Sequence, residues 1–175
     1  GHASMYDYLM ETKDNISIFK LLHLNRMLFQ YAPYPEAGGQ TRNSNNFVTE
    51  AQFETVDYHD ITNELLKLDN KLKNLLSKKD KMSISDYIDE VVKIHYKITV
   101  IHPFNDGNGR VSRVMLNWLF KIIGLPPVYL KYDNKVAYYE ALKEVDLNKD
   151  YSYLDEVFYR EIIRSMIQLN SKFIL

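Results

Sequence analysis

One short stretch concentrates the residue types that phosphate chemistry uses: His102-Pro103-Phe104-Asn105-Asp106-Gly107-Asn108-Gly109-Arg110-Val111-Ser112-Arg113. Gly107 and Gly109 flank Asn108 where a loop would run into a helix. Glycines let the backbone turn so that N–H groups converge. A helix start adds partial positive charge, so the two together make an anion site. Arg110 and Arg113 stand three apart, which sets both guanidiniums on one helix face beside that site. Two guanidiniums and an amide nest suit a polyphosphate better than a single carboxylate. Asp106, just before the nest, would repel phosphates unless a hard cation such as Mg²⁺ lay between them. His102 stands at the loop entrance and is the residue type that takes a proton near neutral pH. Base, metal ligand, phosphate nest and charge clamp are the parts that phosphoryl-type transfer needs.

Each of these residues also has a plainer reading. His102 could be a satisfied structural histidine, Asp106 a helix N-cap, and the arginines partners for some of the 23 acidic residues. Capping and metal binding are compatible for Asp106. Gly107-x-Gly109-x-x-Ser112 imitates a dinucleotide-binding fingerprint, but the third glycine and a second βαβ unit are missing. That reading also leaves His102 and Arg113 without a task. His23, His59 and His95 have no ligand-like spacing and read as packing or surface histidines. Ser112, between the arginines, is assigned no role, and Lys78, Lys79 and Lys81 read as a solvated turn.

The elements that must hold this loop read as helices. Helical spacing predicts helices over residues 16–31, 60–76, 84–100, 108–123, 134–145 and 151–173. Asp14 or Asn15 can cap the first of these, and Ser83, with Asp86 in the capping-box position, caps the third. Pro33, Pro35, Gly38 and Gly39 break the first helix, and Gly124-Leu125-Pro126-Pro127 stop the one that follows the loop. Residues 42–58 differ in character. They open polar with Asn43-Ser44-Asn45-Asn46 and then alternate loosely through Phe47, Val48, Phe53, Val56 and Tyr58, which predicts a short β-hairpin.

The stretch 102–113 resembles the signature of the Fic family, His-Pro-Phe-x-(Asp/Glu)-Gly-Asn-Gly-Arg-x-x-Arg, with every specified position filled. Seven or more specified residues would coincide by chance on the order of once in ten million chains of this length. Gly39-Gln40-Thr41-Arg42 fits a Gly-x-x-Arg that leads into the family's hairpin flap, and Pro126-Pro127 with Tyr138-Tyr139 fits a segment used near the adenine. The resemblance covers roughly residues 16–165. It implies an all-α helical bundle carrying a short β-hairpin flap, and a protein adenylyltransferase that moves AMP from Mg-ATP to a Ser, Thr or Tyr hydroxyl of a target protein. Relatives of this kind can instead move UMP, phosphocholine or phosphate, or remove AMP, and a catalytically silent partner-binding module is a further alternative.

Carried over, His102 would be the general base and Asp106 would hold Mg²⁺. Asn108 with the Gly107 and Gly109 backbone would meet the α- and β-phosphates, and Arg110 and Arg113 the β- and γ-phosphates. Phe104 would anchor the loop in the core, and Tyr138 and Tyr139 would line the nucleoside pocket. Asp146 stands where some relatives carry an Asn that contacts the nucleotide. The target protein would dock on the flap, residues 42–58. Many members carry an inhibitory (Ser/Thr)-x-x-x-Glu-(Gly/Asn) helix. Here only Ser152-x-x-x-Glu156 has the spacing, followed by Val157, so a separate inhibitory chain or segment is the alternative.

Composition narrows the partners. A net charge of −1 and the lack of a basic stripe argue against nucleic acid. No apolar run reaches the roughly 18 residues that span a bilayer, so no membrane role is expected. With no cysteine, disulfides, thiol nucleophiles and Cys-zinc sites are excluded, which is compatible with a reducing compartment. Gly1 to Ser4, before Met5, reads as a remnant of expression. One domain over residues 5–175 with no signal peptide is therefore expected, cytoplasmic or delivered as an effector, with a homo-oligomer left open.

Overall fold

Two helices form the centre, and the loop between them belongs to the stretch 102–113 singled out in the sequence. In this computed structural model, which describes residues 2–12, 15–48, 53–130 and 134–173, α4 spans Ile84–Ile101 and α5 spans Asn108–Ile122. α4 buries Tyr87, Ile88, Val91, Val92, Ile94, His95, Tyr96, Ile98, Thr99 and Ile101, so it is covered on most of its circumference. α5 buries ten of its residues: Asn108, and Val111 to Phe120 except Arg113. Both helices bury a broad face, and these two faces pack on each other.

The other elements close around that pair. α1 (His2–Glu11) and α2 (Lys20–Phe29) cover α5, while α3 (Ile61–Lys78) and α7 (Ser152–Phe173) cover α4. α6 (Lys135–Asn148) packs on α7. β1 (Phe47–Val48) and β2 (Phe53–Glu54) pair antiparallel, Phe47 opposite Glu54 and Val48 opposite Phe53. Single 3₁₀ turns lie at Pro35–Ala37, Tyr58–Asp60 and Lys79–Lys81. The expected all-α bundle with one short hairpin is therefore present, with seven α-helices and no other strand among the described residues. No helix among them is long and apolar enough to cross a membrane.

Polar ties fix the layers. The Tyr87 hydroxyl donates to the Leu119 carbonyl at 3.0 Å, locking α4 to α5. Asn117 of α5 reads the backbone of Val128 in both directions, accepting its N–H at 2.9 Å and donating to its C=O at 3.0 Å. Ser83 caps α4 by accepting the Asp86 N–H at 3.0 Å, as its position predicts.

Two boundaries depart from the periodic reading. α1 starts at His2, inside the residues set aside as an expression remnant, and its Met5 and Leu9 are core residues. Its last carbonyls, Leu9 and Met10, accept from Lys121 Nζ at 2.8 and 3.2 Å, a cation at a helix C-terminus. α2 starts at Lys20 rather than 16, because Asp69 of α3 captures Ser17 Oγ and the Ile18 N–H, both at 2.8 Å. Its N-cap is Phe19, without a side-chain bond. Asp14, one of the two expected caps, lies outside the described residues, as do residues 49–52 of the expected hairpin.

Candidate active site

α4 ends because His102 turns left-handed, with φ 47° and ψ 59°, and its N–H returns to the Ile98 carbonyl at 3.0 Å. That conformation costs a non-glycine residue about 1–2 kcal/mol, so something must hold it. Pro103 follows and cannot continue a helix. Phe104 is buried, as expected of a loop anchor. Gly107, at φ 86°, then turns the chain into α5. The first bond across that turn is Val111 N–H to the Gly107 carbonyl at 3.0 Å. The amides of Asn108, Gly109 and Arg110 precede it and, among the described residues, are the unpaired donors of a helix start.

The tightness of this loop comes from two asparagines. Asn108 is buried, and its carboxamide accepts the Phe104 N–H at 2.9 Å and donates to the Phe104 carbonyl at 2.7 Å. Its side chain is thus spent on closing the loop, and what it offers a ligand is its backbone amide. Asn25 of α2, also buried, donates to the Asp106 carbonyl at 3.0 Å and accepts the Gly39 N–H at 2.8 Å. Gly39 itself sits at φ 79°.

The loop and its neighbours enclose a concave cavity of about 450 Å³. Its wall includes every residue singled out in the sequence as catalytic, phosphate-binding, metal-binding or nucleoside-lining: His102, Asp106, Gly107, Asn108, Gly109, Arg110, Arg113, Tyr138 and Tyr139. It also includes Val48 of β1, Thr99, Asn105, Lys135 and Leu142. These last five come from the flap, α4, the loop and α6, and no motif spacing marks them. Arg110, Arg113 and Lys135 set three cations against one carboxylate, Asp106, around the cavity.

His102 Nδ1 lies 3.3 Å from the Thr99 carbonyl. A carbonyl can only accept, so Nδ1 carries the proton in the neutral ring and Nε2 carries the lone pair. Asp106 Oδ1 accepts the Gly107 N–H, and Oδ2 pairs with Arg110 Nη2 at 3.1 Å. Both side chains of that ion pair are well exposed, at 42% and 69%, so it is weak and can give way to a ligand. The Arg110 guanidinium rests 5.9 Å from the centre of the Phe29 ring, and Arg113 folds back over Gly109.

Behind Arg113 lies a neutral support. His95 is buried, with Nε2 2.8 Å from the Tyr138 hydroxyl and Nδ1 3.4 Å from the Ser112 carbonyl. By the same logic Nδ1–H donates to Ser112 and Nε2 accepts from Tyr138. Burial first, and then the Arg113 charge, push the His95 imidazole down to about 3, so it stays uncharged. Burial likewise raises the Tyr138 phenol well above its ordinary range. Tyr138 therefore lines the cavity while its hydroxyl is held by His95. Tyr139 is only partly buried and carries Lys135 Nζ 5.6 Å from its ring centre. Asp146 is not part of the cavity wall; its Oδ1 accepts from the Tyr96 hydroxyl at 3.3 Å. Glu156, in the candidate inhibitory spacing, pairs with Arg160 on the outside of α7.

The donor set can be weighed against Mg²⁺. Among the described residues no cluster of three or more His, Cys, Asp or Glu could cage a metal. Mg²⁺ seldom uses such a cage; it takes one or two carboxylates and completes its shell with phosphate oxygens and water. One exposed carboxylate, Asp106, beside the amides of a helix start fits that pattern.

Comparison with known proteins identifies the family. The model of the Fic/DOC family matches residues 15–120. A Caenorhabditis elegans protein named "Protein adenylyltransferase fic-1" is 31% identical over 139 residues, covering 79% of this chain and 26% of its own length. "Protein adenylyltransferase Fic" of Nematostella vectensis is 29% identical over 138 residues, covering 79% and 30%. The chain thus spans less than a third of these relatives. The solved structure of residues 134–508 of Fic-1 from C. elegans superposes with a TM-score of 0.77 at 23% identity, covering 98% of this chain and 51% of that one. By family match, motif and fold together, this chain belongs to the Fic/DOC family.

Proposed function

We propose that this chain is a protein adenylyltransferase, moving AMP from Mg-ATP to a Ser, Thr or Tyr hydroxyl of a target protein. The observation that carries the reading is convergence. One cavity holds His102, the amide nest at the start of α5, and the Arg110 and Arg113 guanidiniums, with Val48 of the flap at its wall. The relatives' names point to the same activity.

The residues divide the work by their chemistry. His102 Nε2 takes the proton from the target hydroxyl as its oxygen bonds to the α-phosphorus. The bond from that phosphorus to the bridging oxygen breaks, and diphosphate leaves with the electron pair. Arg110 and Arg113 clamp the β- and γ-phosphates, and the amides of Asn108, Gly109 and Arg110 receive the remaining phosphate oxygens. Asp106 would hold Mg²⁺ against the phosphates; bound there, the ion supplies charge neutralisation for the leaving group. Tyr139 offers a ring for the base and Tyr138 a rigid wall. The target would dock on residues 42–58 by adding a strand to the hairpin edge, where Phe47 is half exposed.

Mass spectrometry of candidate proteins after incubation with the chain, ATP and Mg²⁺ tests this. An AMP increment on a hydroxyl residue is expected. An increment of phosphate alone, or of UMP when UTP is the only donor that works, would replace the reading with another transfer. No increment on any protein would leave the silent module as the correct reading.

A further inference from the structure

The guanidinium of Arg42 is buried, only 2% exposed, and none of its acceptors is a carboxylate. Nε donates to the His102 carbonyl at 2.8 Å. Nη2 donates to the Ile101 carbonyl at 3.2 Å and to the Val56 carbonyl. Nη1 donates to the Ser44 carbonyl at 2.7 Å and meets Asn45 Oδ1 at 3.5 Å. An arginine has five N–H donors, and five contacts account for all of them. The residue's own N–H adds a sixth tie, to the Pro103 carbonyl at 2.8 Å.

These acceptors belong to two different parts of the molecule. Ser44 and Asn45 are one leg of the hairpin and Val56 is the other. Ile101 and His102 are the end of α4, where unpaired carbonyls favour a cation. Val56 N–H also bonds the Val100 carbonyl, at 3.0 Å, so the second leg lies directly against that helix end. The bond from Nε holds His102 in its left-handed conformation on the carbonyl side, as the N–H bond to Ile98 does on the other. A planar fork sets the angle between its acceptors, whereas a lysine ammonium would not.

We propose that Arg42 is a positioning residue that couples the two legs of the flap to the orientation of His102. The proposal rests on the reading above, in which the flap holds the target and His102 accepts its proton. A target strand seated on the hairpin fixes its legs, and through one guanidinium those legs fix the backbone that aims the imidazole. Target engagement and base placement then form a single arrangement.

The test is imidazole and amide NMR of the whole chain, with steady-state kinetics beside it. Arg42→Lys keeps the charge and loses the fork. Displacing the base by about 1 Å can cost on the order of 100-fold. We expect kcat for AMP transfer to fall about 10- to 100-fold, with nucleotide affinity within about twofold of wild type. The His102 imidazole and the amides of Phe47, Val48 and Glu54 should shift together, while amides of α3 stay in place. Asn45→Ala perturbs the same network from the exposed flap side, because Asn45 also accepts the Tyr58 N–H and donates to Asp57. It should shift the His102 resonance in wild type and lose that effect in the Arg42→Lys background. Should Arg42→Lys not fold, Asn45→Ala alone decides: a still His102 resonance overturns the coupling. Flap amides that move while His102 and kcat do not would reduce Arg42 to a structural brace and also overturn it. If wild type transfers no AMP yet His102 and the flap shift together, the coupling stands and the proposed activity fails.

Discussion

Gly107 is the residue at which backbone geometry and the proposed nucleotide site meet most tightly. Its φ of 86° lies in the left-handed region, where a side chain costs about 1–2 kcal/mol. A Cβ there would also stand 2.7 Å from Leu28 Cδ2 and 3.0 Å from Asn25 Nδ2. The Leu28 methyl can swing away. Asn25 cannot do so freely, since it bonds Asp106 at one end and Gly39 at the other. Overpacking of this kind costs a further 1–3 kcal/mol, so Gly107→Ala should lose about 2–5 kcal/mol. A central loss of about 3 kcal/mol corresponds to a Tm drop of about 6–12 °C for a chain of this size. Urea denaturation gives the stability and calorimetry with Mg-ATP the affinity, which should fall as Asp106 and the amide nest shift. Gly109→Ala is the contrast. Gly109 is helical and its added Cβ meets mainly Arg113 Nη1, at 3.2 Å, so stability should hold or rise while nucleotide affinity drops. A Gly107→Ala protein within about 0.5 kcal/mol of wild type and with unchanged affinity would refute the claim that this turn must be left-handed and close-packed.

Arg113→Ala should weaken ATP binding about 10- to 150-fold by calorimetry, the range for one charge-assisted clamp, and equal affinity would remove Arg113 from the phosphate site. Val48→Pro, which deletes a backbone donor on β1, should lower target modification several-fold and leave ATP affinity unchanged; unaltered modification would place docking elsewhere. Asp155, near the start of α7, is held up at about 6 by burial first and then by Asp89, and its buried Oδ1 has no hydrogen-bond partner among the described residues. A carboxyl raised in the folded state favours folding while protonated, so stability should decline as pH rises from about 4 through about 6. Asp155→Asn should remove that decline and add about 1 kcal/mol at pH 7.5 in urea denaturation, after allowance for solvent screening; the same pH slope in both proteins would contradict it.

The helical spans were legible because burial on one face leaves a 3.6-residue period, and the phosphate loop because few chemistries need His, Asp, two glycines and two arginines so close together. α1 was not, since only Met5 and Leu9 mark its buried face and its end is held by Lys121, more than a hundred residues away. The late start of α2 is likewise tertiary, imposed by Asp69. The motif marks Asn108 as a ligand contact, but does not reveal that its side chain is the clasp of its own loop. Lys135, Leu142 and Thr99 belong to the cavity through helix packing that no local spacing encodes. His95, read as ordinary packing, is indeed buried, yet it also fixes Tyr138 behind Arg113. Arg42 was recognisable as the lead into the flap, but its five carbonyl and amide acceptors come from both sides of the fold.

The most direct measurement is on His102→Ala, read two ways in the same buffer: AMP transfer to an accepted target, and affinity for Mg-ATP. The amide nest, Asp106, Arg110 and Arg113 all remain, so nucleotide affinity should stay within about threefold. Loss of the general base should lower transfer by about 10²- to 10⁴-fold. Transfer within about threefold of wild type would contradict His102 as the base, and loss of nucleotide binding along with transfer would make it a support of the loop instead.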